Sequence, residues 1–84
     1  MNQAKEKAAP SAVKVPPHNM EAEQSILGGV LINNEAMNQI MDILNPECFY
    51  REAHALIFQG MIDLYNNNEP IDLITLSQHL TEKN

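Results

Sequence analysis

The chain has 84 residues, of which 44% are hydrophobic and 19% charged, so it is expected to form one small globular domain rather than a multidomain enzyme. Its single cysteine, Cys48, excludes an internal disulfide and favours a reducing, cytoplasmic location, and no apolar run is long enough to cross a membrane. The formal net charge of −6 combines +2 over residues 1–14 with −8 over residues 15–84, which argues against direct nucleic-acid binding by the folded part.

Residues 1–14 are predicted to be a disordered tail. They contain mainly alanine, lysine, glutamine and serine, with too few large apolar side chains to offset the entropy lost on ordering. The prolines of residues 15–18, Val-Pro-Pro-His, then favour extended backbone. The globular domain is therefore expected over residues 15–84.

Apolar residues at helical spacing predict the first two helices. The first helix is expected over residues 20–32, with Asn19 as its N-cap. Gly28 and Gly29 interrupt this helix, and we expect the close approach of another helix to compensate for their cost in helix stability. The second helix is expected over residues 35–44.

A short helical turn and two further helices are predicted in the second half of the chain. At Asn45 and Pro46, asparagine is suited to cap a turn whose first position is proline. The third helix, over residues 50–65, is apolar nearly all round, which indicates the central helix of a bundle. The fourth helix follows Asp72 as its N-cap. Its inward face is expected to carry Leu73, Leu76 and Leu80.

These elements predict an all-α fold. The expected architecture is a small compact bundle of four main helices plus a short helical turn, preceded by the tail. Its core is expected to combine one face of the first helix with much of the third and the inward face of the fourth. The residues predicted for this structural core are Ile26, Leu27, Leu56, Ile57, Phe58, Met61 and Leu76.

No catalytic, cofactor or metal site is predicted. The glycines form neither common nucleotide-binding loop, the histidines and Cys48 lack the spacing of zinc ligands, and no serine, histidine and acid are spaced for nucleophilic catalysis. His54 precedes Phe58 by one helical turn and is interpreted as a packed, hydrogen-bonded side chain, and Cys48 as a small buried hydrophobe. Glu21 and Glu23, in the first turn of the first helix, either bind a basic partner or are solvated carboxylates favoured by the helix dipole.

Two strings of the sequence are distinctive. Residues 14–29 read Lys-Val-Pro-Pro-His-Asn-Met-Glu-Ala-Glu-Gln-Ser-Ile-Leu-Gly-Gly, and residues 70–76 read Pro-Ile-Asp-Leu-Ile-Thr-Leu. In order and spacing they resemble the bacterial replicative DNA helicases of the DnaB family, although Cys48 stands where that family usually has aspartate. The resemblance continues between the two strings through Phe49, Tyr50, His54, Ile57, Phe58 and Met61.

The resemblance implies the globular head of the N-terminal domain of a hexameric helicase, which hydrolyses ATP and unwinds duplex DNA 5′ to 3′ at the replication fork. In that family the head continues into a helical hairpin that pairs protomers, and then into a RecA-like ATPase that holds ATP and Mg. We expect both to be missing here, so this fragment itself would be no enzyme and would hold no cofactor. The implied partners are other helicase protomers and the primase C-terminal domain, with DNA contacted only by the remainder of the parent and no membrane partner. Glu21 and Glu23 then become candidates for partner contact or regulation.

An alternative belongs to a different class of protein. It is either a free-standing helical adaptor or the helicase-binding helical domain of a primase, which resembles this head in fold. The segment at residues 15–18 favours the helicase, because a primase domain would instead follow a long catalytic region.

Overall fold

Four α-helices and one short 3₁₀ turn make up the part of the chain that the computed structural model describes, residues 19–83. The expectation of an all-α bundle with four main helices and a helical turn is confirmed. The predicted tail at residues 1–14 and the segment at residues 15–18 lie outside the described residues. Among residues 19–83, no helix is long and apolar enough to span a bilayer. The elements are α1 (Met20–Ile32), α2 (Ala36–Ile40), the 3₁₀ turn (Pro46–Cys48), α3 (Glu52–Asn66) and α4 (Leu73–Lys83).

Side-chain caps fix where three of these elements begin. Asn19 accepts a hydrogen bond from the backbone N–H three residues on, at 3.0 Å, and thereby starts α1. Asn45 accepts one from the N–H two residues on, at 3.0 Å, and starts the 3₁₀ turn. Before α4, Asp72 and Thr75 each accept a hydrogen bond from the other's backbone N–H, at 2.9 Å. The three caps agree with the sequence prediction.

The end of α3 is a Schellman motif. Asn68 has a φ of 59°, in the left-handed region that asparagine tolerates better than most residues. The N–H of Glu69 donates to the carbonyl of Leu64 at 2.9 Å, and the N–H of Asn68 donates to that of Tyr65 at 3.0 Å. The run of asparagines therefore ends the helix by satisfying carbonyls that the helix itself leaves unpaired.

α2, Ala36–Ile40, is shorter than the predicted 35–44. Beyond it, the N–H groups of Asp42 and Ile43 donate to carbonyls three residues back, at 3.2 and 2.9 Å, which is the tighter winding of a turn. Leu44 at the end of this turn is still buried, with 8% of its surface exposed. Because the tighter turn keeps Leu44 on the same buried side as the apolar residues of α2, the spacing of apolar residues in the sequence predicted a helix that continues past the end of α2.

Side chains from all four helices form one core around α3. Phe58 and Met61 of α3 are completely buried, and the ring of Phe49 packs against that of Phe58 with centroids 5.0 Å apart. α3 contacts each of the other elements, which confirms its predicted central position. Of the predicted core residues, Leu27, Phe58, Met61 and Leu76 are buried, and Ile26 and Ile57 are partly buried against the core.

Two leucines that were predicted to face inward are exposed. Leu56 has 56% of its surface exposed and Leu73 has 72%, so neither belongs to the core. Because α3 is apolar on nearly all sides, periodicity alone does not reveal which side the other helices leave uncovered. Leu73 is the first residue of α4, and the buried face of that helix begins only with Leu76.

The expectation that another helix approaches closely at Gly28 and Gly29 is also wrong. A Cβ added at either position would meet no atom within 4 Å. The close approach occurs instead at Gly60 of α3, where an added Cβ would lie 3.3 Å from the side chains of both Leu76 and Leu80 of α4. The absence of a side chain at Gly60 therefore lets α4 pack closely on α3.

Asn34 connects the end of α1 to the start of α4. Its side-chain amide donates to the carbonyls of Val30 at 2.8 Å and Ile71 at 3.0 Å. Its side-chain oxygen accepts a hydrogen bond from the N–H of Ile71 at 2.8 Å. The donor and the acceptor on Ile71 together fix the orientation of the Asn34 amide.

Candidate functional site

Glu23, one of the two predicted site residues, lies inside the bundle. Only 1% of its surface is exposed, although it belongs to the first turn of α1. Its carboxylate accepts hydrogen bonds from the backbone N–H of Tyr50 at 2.6 Å and of Arg51 at 3.4 Å, and it lies 2.6 Å from Nδ1 of His54. We call these four residues the Glu23 junction. The expectation that Glu23 is a solvated carboxylate is therefore wrong.

The Glu23 junction caps α3 from a different helix. α3 begins at Glu52, two residues later than predicted, and its N-cap residue Arg51 makes no side-chain cap hydrogen bond. Backbone N–H groups at a helix start need an acceptor, and Glu23 provides one just before the first turn. Glu23 lies on the same stripe of α1 as the buried Leu27 and Val30, which explains why it points into the bundle.

The surroundings of Glu23 stabilise its ionised form. Burial by itself raises the pKa of Glu23, but the hydrogen bonds from His54 and from the backbone of Tyr50 and Arg51 outweigh burial and hold that pKa below its ordinary value of 4.5. His54 is itself largely buried, with 12% of its side chain exposed, so its interpretation as a packed, hydrogen-bonded histidine is confirmed. The predicted role of Glu23 in partner contact or regulation stays a prediction, and its burial leaves only an indirect route through the residues it holds.

Glu21, the other predicted site residue, is exposed on α1. The structure therefore separates two carboxylates that lie only two positions apart in the sequence. Glu21 is accessible to a partner, and its role in contact stays a prediction. Cys48, interpreted as a buried hydrophobe, is half-buried at the end of the 3₁₀ turn.

A second carboxylate–histidine pair connects α3 to α4. Oδ2 of Asp63 lies 2.9 Å from Nε2 of His79 and 3.4 Å from Nζ of Lys83, and Gln59 donates to Oδ1 at 3.0 Å. Burial raises the pKa of Asp63, but the hydrogen bonds from His79, Gln59 and Lys83 hold it below its ordinary value of 3.8. Both members of the pair reach solvent, with 24% of the Asp63 side chain and 21% of the His79 side chain exposed. Within residues 19–83, no group of three histidine, cysteine or acidic residues is arranged to hold a metal ion.

An apolar groove lies next to this pair, between α3 and the C-terminal half of α4. Its volume is about 490 Å³. Sequence reasoning missed it, although the available signal was a second apolar stripe on α3, formed by residues 53, 56, 57 and 60 on the side away from Phe58. We call it the α3–α4 groove; it is lined by Ala53, Leu56, Ile57, Gln59, Gly60, Leu80 and Lys83.

The two carboxylate–histidine pairs connect α3 to α1 and to α4. The two histidines of residues 19–83 are both paired with carboxylates, and neither has a hydroxyl or thiol nucleophile among its hydrogen-bond partners. The same residues contain ten carboxylates against only two basic side chains, Arg51 and Lys83. Because Glu23 is buried, nine of these ten carboxylates remain to make the described surface acidic.

Comparison with known proteins agrees with the resemblance of the two sequence strings. The profile of the family described as "DnaB-like helicase N terminal domain" matches residues 15–84. The replicative DNA helicase DnaB of Pasteurella multocida (strain Pm70) is 51% identical over 70 residues, which are 83% of this chain and 15% of that protein. The replicative DNA helicase DnaB of Synechocystis sp. is 44% identical over 68 residues, which are 81% of this chain and 8% of that protein.

A solved structure also has this fold. The crystal structure of the N-terminal domain of DnaB helicase from Mycobacterium tuberculosis superposes with a TM-score of 0.76 at 38% sequence identity. The match covers 82% of this chain and 48% of that one, so this chain spans about half of the solved domain. With the profile match over residues 15–84, these similarities show that the chain belongs to the family of DnaB-like helicase N-terminal domains.

Proposed function

We propose that this chain is the non-catalytic head of the N-terminal domain of a bacterial replicative DNA helicase, and that it serves protomer assembly and primase recruitment. The parent would be a cytoplasmic hexamer that unwinds DNA 5′ to 3′ with ATP, and ATP and Mg would be bound by its remaining length. The observation that carries the proposal is the family match over residues 15–84. The relatives it matches are named as replicative helicases, which favours the helicase over a primase domain or a free-standing adaptor.

The described surface supports a role in contact. Leu56, Leu73 and Ile74 expose 56%, 72% and 70% of their surfaces, which is apolar area that a partner would cover. Nine of the ten carboxylates of residues 19–83 reach the surface and repel a phosphate backbone, so the head is suited to protein partners rather than to DNA.

Deletion of the head from the full-length parent tests this proposal. A parent that lacks residues 15–84 is expected to retain ATP hydrolysis but to lose stimulation by primase and to sediment as smaller assemblies. The matched control removes only residues 1–14 and is expected to keep both properties. Unchanged hexamer assembly and unchanged primase stimulation after deletion of residues 15–84 would contradict the proposal.

The 84-residue chain provides the complementary test. It is expected neither to release phosphate from ATP nor to bind single-stranded DNA at low salt, where electrostatic attraction to DNA is strongest. Phosphate release and fluorescence polarisation measure the two properties. ATP hydrolysis by the purified chain would overturn its non-catalytic assignment.

A further inference from the structure

The methionines of residues 19–83 differ sharply in exposure. Met37 and Met61 are completely buried, and Met41 is partly buried against the core. Met20, the first residue of α1, is 37% exposed. A peroxide oxidises a thioether only where it reaches the sulfur, so Met20 is the most accessible methionine of the described residues to this reaction.

The sulfur of Met20 lies beside a cationic side chain. Nε of Arg51 donates a hydrogen bond to Sδ of Met20 at 2.9 Å. Within residues 19–83, the Arg51 side chain makes no other hydrogen bond and no salt bridge with a carboxylate. Because a guanidinium has five N–H donors, those on its two terminal nitrogens remain available next to the sulfur.

The Glu23 junction holds these two side chains together. Glu23 follows Met20 by three residues on α1, so the two are neighbours on the surface of that helix. The Glu23 carboxylate accepts hydrogen bonds from the backbone N–H of Tyr50 at 2.6 Å and of Arg51 at 3.4 Å. The backbone of Arg51 is therefore fixed against α1, and its guanidinium is placed at the Met20 sulfur before any oxidant arrives.

From these observations we infer that Met20 is a site of reversible oxidation by hydroperoxides and that Arg51 promotes the reaction. A lone pair of Sδ attacks one oxygen of hydrogen peroxide, and the S–O bond forms as the O–O bond breaks. The sulfur loses two electrons to the peroxide, and the departing oxygen takes up the proton of the attacked oxygen and leaves as water. Negative charge develops on the departing oxygen, and the terminal N–H groups of Arg51 stabilise it by hydrogen bonding. This inference does not depend on the proposed function.

The sulfoxide is expected to leave the fold intact. Its oxygen is polar and is a stronger acceptor than a thioether sulfur, so it takes over the hydrogen bond from Arg51 at the surface. Oxidation of Met37 or Met61 would instead place a polar group in the core without a partner. Methionine sulfoxide reductases therefore have an accessible substrate at Met20 in the folded chain.

Peptide mapping of the intact 84-residue chain after exposure to hydrogen peroxide tests which methionine reacts. Cleavage after glutamate separates the methionines of residues 19–83 into three peptides, residues 7–21 with Met20, residues 36–47 with Met37 and Met41, and residues 53–82 with Met61. Met1, which lies outside the described residues, and Cys48 fall in two further peptides, so oxygen taken up there is counted separately. We expect Met20 to be oxidised at least about tenfold faster than Met61. Equal rates would overturn the inference.

A pair of matched variants tests the part played by Arg51. Arg51→Gln and Lys83→Gln each remove one positive charge, but Lys83 lies 3.4 Å from Asp63 rather than at the Met20 sulfur. We expect Arg51→Gln to slow the oxidation of Met20 at least about threefold and Lys83→Gln to change it less than about 1.5-fold. The rate at Met61 serves as an internal check of folding, because unfolding would expose that sulfur. Equal rates at Met20 in both folded variants would overturn the role of Arg51.

A small thioether provides a measurement that needs no variant. N-acetylmethionine amide in the same solution is a fully exposed sulfur without a neighbouring cation. Met20 is only 37% exposed, yet with the help of Arg51 it is expected to react at least as fast. A rate at Met20 more than about tenfold below that of the small molecule would also overturn the role of Arg51.

Thermal melts and enzymatic reduction test the product. A chain with sulfoxide only at Met20 is expected to unfold cooperatively with a midpoint within about 4 °C of that of the unoxidised chain. Methionine sulfoxide reductases for both sulfoxide epimers, supplied with dithiothreitol, should restore the original mass. Loss of the cooperative transition, or a sulfoxide that the reductases do not remove, would overturn the inference that Met20 is oxidised reversibly.

Discussion

α3 is joined to its two neighbours in different ways. Toward α1, the carboxylate of Glu23 is 1% exposed and bonds to His54 and to two backbone N–H groups. Toward α4, Asp63 and His79 form a similar pair, with 2.9 Å between the nearest atoms, but both reach solvent. A buried polar group that loses its partner has no water to replace it, whereas a half-exposed group does. Two pairs of similar chemistry and distance are therefore expected to contribute very differently to stability.

Removal of the buried carboxylate should have the largest effect. Glu23→Ala leaves His54 and two backbone N–H groups without an acceptor, and we expect the free energy of unfolding to fall by about 2–3 kcal/mol. Urea melts of the 84-residue chain measure this change. Glu21→Ala is the control, since it removes an exposed glutamate from the same helix turn and should cost less than about 0.5 kcal/mol. Similar losses in the two variants would show that the Glu23 junction does not hold α3.

Acid should weaken the same junction. Because the pKa of Glu23 in the folded chain is below 4.5, folding favours the ionised carboxylate, and the resulting stability is present above pH 4.5 and lost as the pH falls through the lower folded value. Thermal melts at decreasing pH should therefore show a loss of stability below pH 4.5 that is shallower in Glu23→Gln. The pKa of Asp63 is also lowered on folding, so its contribution to stability should likewise fall with pH, beginning near pH 3.8. An unchanged pH profile in Glu23→Gln would contradict the assignment.

The solvent-accessible pair should contribute less. Asp63→Ala removes the acceptor of His79, Gln59 and Lys83, but water reaches this site, so we expect a loss of no more than about 1 kcal/mol in urea melts. A loss as large as that of Glu23→Ala would show that burial does not account for the difference between the two connections. Asp63→Asn, which keeps an acceptor oxygen, serves as the conservative control.

The smallest expected effects are at the glycines, where the contact of α4 with α3 is tested directly. Gly28→Ala places a methyl group in open space inside a helix and should raise the free energy of unfolding by about 0.4–1 kcal/mol. Gly60→Ala should gain less than this or lose stability, because the methyl group would lie 3.3 Å from both Leu76 and Leu80. Equal gains in urea melts would mean that the packing of α4 on α3 adjusts freely.

The local parts of the fold were predictable from the sequence. Asn19, Asn45 and Asp72 all cap the elements that they were predicted to cap, because a cap hydrogen bond spans only two or three residues. The central place of α3 was also predictable, since a helix with apolar residues all round has few other stable positions. The side of α3 that faces outward was not, and so Leu56 was assigned to the core.

The Glu23 junction was missed because its partners lie 27 to 31 residues away in the sequence. A carboxylate in the first turn of a helix is ordinarily solvated, and the sequence prediction for Glu23 followed that rule. The helical spacing of Glu23 and His54, however, indicated that both side chains are buried. Glu23 precedes the buried Leu27 by one turn of α1, and His54 precedes the buried Phe58 by one turn of α3. Two complementary polar groups therefore lie on the buried faces of two helices.

The Asn34 bridge has a consequence for how the bundle opens. With one amide, Asn34 makes to Ile71 the pair of donor and acceptor contacts that neighbouring β-strands make to each other. The Ile71 N–H is buried behind that bridge, so its hydrogen exchange with solvent requires the last turn of α1 to separate from the start of α4. Segments 37 residues apart along the chain would then exchange as one cooperative unit, and the first and last helices of the described bundle would open together rather than fray independently.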